Sequence, residues 1–536
     1  MSCEDCLADI IIPIYDKVAS NAWQMRESFF GFSEFLAGLA FLLMVWVTSD
    51  YRYKFRFHIS KLSTRFCFFS VVSIGVIVLV DDFLFSLLWN NKSIDCVVQF
   101  ICALLLLSVI VYWFVVAFIK PPVINKSNHG RYRAEFCRVV NCQNEDEMKT
   151  LVHEMLYSMP NLIRFAPRIS FEERELSEVE EDVALIFSVM GSEYYCRNLV
   201  RYSIDTAVAL FDAMEKQKRY TIGLEFFAKN FITESLKYEG SYAYRESDYR
   251  NGFFNWNQPT IARIYGNEIL LLNLKGLLEP DYSLTSTWNH KHIHAYVALL
   301  SKAFDACYGE YQAIPMFSHA YEIVDSSAYW PCRPEYLGRE YVNVFREVMY
   351  FYKGLIENVL PQKDLFAQKH HYYTEYSTRD FLDILVDSVV QMFVYAGRYC
   401  EDDDNRHIIQ YVYCFDSIFV YSESKNDVVA FYEKLKEAVV LKAKEKTGLE
   451  GIYVLFLFLE NFGTNVTEHG GNKHLSELHA LLLDIAKKHL LETYENVHNY
   501  RTFKMPERLS INIEKKELTI RSKSIDKKNV LKMDLE

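Results

Sequence analysis

Basic residues are in short supply. The chain of 536 residues carries 58 lysines and arginines against 70 aspartates and glutamates, a net charge of −12. That balance argues against nucleic acid as the main partner, because a phosphate backbone is held by a basic surface. Prolines number only twelve and no glycine–serine linker occurs, so domain boundaries are faintly marked. Twelve cysteines over this length are too sparse for a disulfide framework, and reduced thiols are the expectation. The opening residues, MSCEDCLADI, place acids where a cleaved secretory signal needs a basic segment. Nucleotide- and acyl-transfer signatures are missing as well. There is no GxxxxGK[ST], no GxSxG, and no HRD or DFG set. Residues 153–157 (HEMLY) fail as a zinc-hydrolase motif, since Tyr157 stands where the second imidazole must be.

Long apolar runs, by contrast, dominate the first 120 residues. They cover 29–48, 67–89 and 96–119, and each reaches the ~20 residues a helix needs to cross hydrocarbon. Basic residues set their orientation. The loop after the first run holds Arg52, Lys54, Arg56, Lys61 and Arg65, and the segment after the third holds Lys120, Lys126, Arg131, Arg133 and Arg138. The second loop has only Lys92, and the N-terminal segment only Lys17 and Arg26. The pattern predicts an N-terminus outside and residues 120–536 in the cytoplasm. Pro121 and Pro122 end the third helix, because proline cannot continue the hydrogen-bond ladder.

Four polar residues fall inside these runs. With the predicted orientation, Glu34 lies ~8 Å and Asp81 ~12 Å below the same outer end, at 1.5 Å per residue. Asp82 and Gln99 share that leaflet. Ionisable residues inside spans face a bundle interior or a watery cavity and are candidate functional residues. Assembled in several copies, Glu34, Asp81, Asp82 and Gln99 would form an acidic, cation-attracting ion path. The competing reading ends the second span near Val80 and leaves 81–89 as an interfacial segment, its acids among headgroups. The inner leaflet has no matching set, and three helices alone leave no room for a channel without oligomerisation.

The remaining 417 residues read as helical. Ser170 and Glu173 have the spacing of a capping box. One stripe joins Val342, Phe345, Met349, Ile356 and Val359, another Leu475, Leu478, Leu482 and Ile485, both at helical spacing. Alternation at Leu509, Ile511 and Ile513, then Leu518 and Ile520, predicts a C-terminal hairpin. The lysine-rich end after it reads as a solvated tail able to touch anionic lipid. His290 and His294 would share a helix face as two metal ligands, although no cysteine or carboxylate pair accompanies them. Cys3 and Cys6 form a lone CxxC, and 401–405 (EDDDN) lacks the glycine and closing glutamate of a calcium loop.

The fold expected is mainly α. It comprises a short extracytoplasmic segment (1–28), a three-helix transmembrane domain (29–119), cytoplasmic helical subdomains (120–237 and 238–360), and a third (361–536) ending in the hairpin and basic tail. No cofactor is implied, and the missing motifs favour a non-enzyme. The leading functional expectation is a homo-oligomeric sensor or effector in a bacterial inner membrane. Its cytoplasmic region would receive a ligand or protein partner, and its spans would perturb the bilayer or conduct ions, in the manner of stress or antiviral defence systems; the defence role is analogy from layout. The alternative is a passive membrane anchor bearing a helical scaffold for partner proteins. A third possibility is an enzyme without a local motif, centred on His290, His294 and the aromatic break at 238–260.

Overall fold

A computed structural model describes residues 31–60, 64–87, 92–168, 175–247, 259–307, 318–329, 339–359, 370–371, 378–379, 381–398, 428–445, 449–462, 473–498, 505, 509–521 and 528–533. The fold is mainly helical, with a small antiparallel sheet near the C-terminus. It divides into two compact units, Met1–Leu224 and Glu225–Glu536.

The first unit opens with the apolar helices α1 (Phe32–Thr48), α3 (Thr64–Leu87) and α4 (Lys92–Phe114), with a short amphipathic helix, α2 (Tyr51–His58), between α1 and α3. A turn of π-helix, Val115–Ile119, extends α4. Among the described residues, two stretches are long and apolar enough to cross a membrane, Phe66–Phe83 and Cys96–Ile119. These are two of the three spans expected. The 17 described residues of α1 are apolar but rise only ~26 Å against a hydrocarbon layer of ~30 Å, so a third span is not shown. Helix α3 runs unbroken through Asp81 and Asp82, so the second run does not end as a helix at Val80.

The three apolar helices share one core, formed by Phe35 of α1, Val71, Ile74 and Val78 of α3, and Cys102 and Leu106 of α4. Glycines allow the close approach. A Cβ on Gly75 would lie 2.5 Å from the Phe35 ring, and one on Gly38 would lie 3.3 Å from Leu106. The outward faces expose Phe68, Phe69, Val76, Ile77, Leu104 and Leu107, an apolar exterior suited to acyl chains and not to water.

The polar part of this unit packs α5 (His129–Cys142), α6 (Glu145–Phe165), α7 (Glu178–Met190), α8 (Glu193–Tyr202) and α9 (Ile204–Gln217) around Phe136, Leu151, Met155, Leu162, Leu199 and Phe211. Side chains cap the starts of α6, α7 and α8, supplying acceptors for free helical N–H groups. Asn144 accepts from Asp146 and Glu147 N–H at 3.1 Å. A capping box does open α7, but it is formed by Ser177 and Glu180. Ser170 and Glu173 lie outside the described residues.

In the second unit, α10 (Glu225–Lys237), α11 (Tyr242–Ser247), α12 (Pro259–Tyr265) and α13 (Glu268–Asn273) precede α14 (His290–Cys307). The longer helices α15 (Ser318–Tyr329), α16 (Arg339–Val359), α17 (Phe381–Arg398), α18 (Val428–Ala443), α19 (Leu449–Phe462) and α20 (Lys473–Val497) follow. The expected stripes face inward: Phe345, Met349 and Ile356 on α16 are buried, as are Leu475, Leu478, Leu482 and Ile485 on α20. Helix α19 is apolar on every side because it is enclosed on every side, residues 451–459 all being buried. Two short strands, β1 (His370–His371) and β2 (Thr378–Arg379), pair antiparallel. The expected hairpin forms from β3 (Leu509–Asn512) and β4 (Glu517–Arg521), with Leu509 opposite Ile520 and Ile511 opposite Leu518. The lysine-rich end is not wholly a solvated tail. Lys528–Lys532 pairs with β4 as a third strand, β5, seating Leu531 against Leu518.

Candidate functional site

The expected polar layer gathers at one end of the apolar helices. The first turn of α1 has N–H groups with no partner inside the helix. Asp82, reaching across from α3, accepts from Phe32 N at 3.1 Å. Glu34 accepts from Gly31 N and from Ser33 Oγ, each at 2.9 Å. Both carboxylates thus sit at the positive end of the α1 dipole, where anions are stabilised. Asp81 adjoins Asp82 in the last turns of α3, and Gln99 is buried in the first half of α4, one turn from Cys102. The four residues that stand out in the sequence are therefore brought to one end of the bundle, and two of them cap a helix there.

A second polar centre lies at the other end of the last apolar helix. The carbonyl of Ala117 would accept from the N–H of residue 121 in an α-helix, or of residue 122 in a π-helix. Both are prolines and have no N–H. Lys120 N is already committed to Val115 O at 2.8 Å, closing the π-turn. Ala117 is fully buried, so its carbonyl needs a donor from elsewhere. Arg56 supplies it: Nη1 donates to Ala117 O at 2.5 Å. The remaining donors of the same guanidinium meet Glu154 of α6 as a fork, Nε to Oε2 at 2.7 Å and Nη2 to Oε1 at 2.8 Å. Arg52 adds a third contact, Nε to Glu154 Oε1 at 2.6 Å. Arg56 is 6% exposed and Glu154 4%, so this is a charge pair withdrawn from water and held by two-point geometry.

Helix α2 is fastened to the polar helices at two further places. Asn128 Nδ2 donates to Ile59 O at 2.8 Å and to Val123 O at 3.1 Å. Glu135 of α5 accepts from Tyr51 Oη at 2.7 Å and from Arg138, which also reaches Tyr51 and Glu147. Burial favours the neutral form of Glu135, yet hydrogen bonds from His58, Arg138 and Tyr51 outweigh it and hold the carboxyl at about 2. Burial and the adjacent Glu135 push the Tyr51 hydroxyl up, so it stays a donor. Tyr53 packs on Phe118 at 4.6 Å between centroids, tying α2 to the π-turn by ring contact as well. Because α2 is the loop between α1 and α3, this joint links three chain segments: the first loop, the exit of α4 and the body of α6.

Sequence reasoning missed this joint, counting Arg56 only among the basic residues of the loop. Two signals were available. The Pro121–Pro122 pair strips Ala117 of its donors, and Glu154 falls on the inward stripe of α6 with Leu151, Met155 and Ser158.

His290 and His294 lie on one face of α14, as expected for a helix whose start is capped by Asn289, which accepts from Lys291 N and His292 N. His294 is engaged by Glu347 of α16, Nδ1 to Oε2 at 2.9 Å. Among the described residues, no three histidine, cysteine, aspartate or glutamate side chains converge as a metal site requires. Cys3, Cys6 and residues 401–405 lie outside the described residues. Comparison with known proteins identifies no relative: no family model, curated protein or solved structure matches the chain.

Proposed function

We propose that this chain is a membrane-embedded sensor or effector in which the α2 joint transmits a change in the helical region to the apolar helices. The observation that carries the reading is the single guanidinium of Arg56, shared between Glu154 of α6 and the carbonyl of Ala117 at the exit of α4. A shift of α6 pulls at once on the α1–α3 loop and on the exit of α4, which meet at one end of the apolar helices. In this reading α1 crosses the bilayer with α3 and α4, the N-terminus is outside, and the region after residue 120 is cytoplasmic, following the basic residues of the loops. Several copies assemble, and Glu34, Asp81, Asp82 and Gln99 line a cation-attracting layer that perturbs the bilayer or conducts ions. A bacterial inner membrane and a stress or antiviral defence setting complete the proposal, on layout alone.

A second reading is favoured by one observation: Glu34 and Asp82 are engaged as caps of α1. The spans are then a passive anchor and the helical region a scaffold for partner proteins. The two readings separate on Asp81→Asn with Asp82→Asn. Asparagine keeps a carbonyl oxygen for the Phe32 N–H and removes only the charge. Membrane potential is followed with a voltage-sensitive dye in cells expressing the full chain. Depolarisation that the double variant loses supports the effector. Depolarisation absent from the wild type, with partner capture unchanged in the variant, supports the scaffold.

A further inference from the structure

We infer that the groove between α14 and α16 is a binding site for a small organic cation, an amine or guanidinium borne on an apolar body. The inference rests on the sensor reading for its consequence, since it places the input of the signal.

The groove has a volume of about 340 Å³, within the range of ~300–1,000 Å³ typical of small-molecule sites. From α14 come His294, Val297, Ser301, Phe304 and Asp305, spaced to fall on one helix face. From α16 come Glu347, Tyr350, Phe351, Gly354 and Leu355, again one face. Among the described residues, the ionisable groups lining the space are two carboxylates, Asp305 and Glu347, and the imidazole of His294. Glu347 is held by His294 at 2.9 Å and retains a fifth of its side-chain surface, so its carboxylate is positioned and still accessible. The aromatic rings of Phe304, Tyr350 and Phe351 supply faces over which a cation is stabilised and an apolar body packs.

Gly354 lines the groove. A glycine inside a helix is unfavourable against alanine. Among the described residues no tight contact requires it here, for a Cβ on Gly354 would meet nothing within 4 Å. A larger side chain at this position would project into the groove.

The test uses the full chain in lipid nanodiscs and isothermal titration with phenethylamine, beside its neutral and anionic counterparts 2-phenylethanol and phenylacetate. Saturable binding of the amine is expected, with neither counterpart matching it. Glu347→Gln keeps an acceptor for His294 and removes the charge; it should weaken the amine about tenfold or more, the size of one charge-assisted hydrogen bond. Gly354→Leu fills the groove and favours the helix, and should abolish binding with the fold intact by circular dichroism. Absence of saturable amine binding overturns the proposal, as does equal binding of the three probes or indifference to both substitutions. The Arg56→Met, Glu154→Leu pair separates the two ideas. If it binds phenethylamine normally but no longer depolarises cells, both stand. If the wild type binds the amine and never depolarises, the site stands and the effector reading falls.

Discussion

Arg56 and Glu154 illustrate how a buried pair is costly to halve and cheap to replace whole. Glu154→Ala leaves Arg56 with its charge out of water, and the expected loss is about 3–5 kcal/mol, read from chemical denaturation of the full chain in detergent. The paired change Arg56→Met with Glu154→Leu removes both charges and should recover most of that loss, while leaving Ala117 O without its donor at about 1–3 kcal/mol. A paired variant as unstable as Glu154→Ala would show that the charges themselves do not govern the site. The same residues mark what the sequence could reveal. Glu34, Asp81 and Asp82 were legible because a charge in an apolar run has no other explanation to hide behind. Arg56 sits in an aromatic, cationic octapeptide where one more arginine is unremarkable, and its partner is 98 residues away. Only the close of α4 on two prolines hinted that a donor had to arrive.

Among the elements, periodicity was a dependable guide wherever one face is buried and the other wet. Leu475, Leu478, Leu482 and Ile485 were read as an inward stripe and are one. Strand β5 is hard to read in the sequence, because its five residues include two lysines, Asn529 and an exposed Val530, and such a composition resembles a solvated end until β4 is there to pair with it. At α1 the apolar run of twenty residues contains a described helix of 17, shorter than the two candidate spans on α3 and α4. What holds α1 to α3 is the seat of Phe35 over Gly75. Gly75→Leu should expel that ring and cost about 1–3 kcal/mol through overpacking, despite leucine's better helix propensity. Cysteine crosslinking between α1 and α3 would detect the loosening, and an unchanged crosslinking rate would refute the seat.

At the scale of the whole molecule, one carboxyl in each unit responds to acid in the opposite sense to the other. Glu135 in the first unit has its carboxyl lowered from 4.5 to about 2, so its contribution is present above pH ~4.5 and is lost as pH falls toward 2. In the second unit, burial raises Asp325 from 3.8 to about 6, against hydrogen bonds from Tyr352 and Ser388 that lower it. Its contribution is present below pH ~4 and is lost as pH rises through 6. Between pH 4 and 6 the contribution of Asp325 should therefore fall while that of Glu135 changes little. Asp325→Asn should flatten that loss and raise the melting temperature at pH 8, as differential scanning calorimetry of full-length protein would record; an unaltered pH profile would show that Asp325 does not titrate in this window. The joint at Arg56 also orders events during synthesis. Arg56 leaves the ribosome 61 residues before Ala117 and 98 before Glu154. Until α4 and α6 have formed, the arginine has neither acceptor, so the joint closes only once both helices are in place. A nascent chain that ends before residue 154 lacks the carboxylate that Arg56 pairs with, so the joint is a contact that only a chain extended through α6 can close.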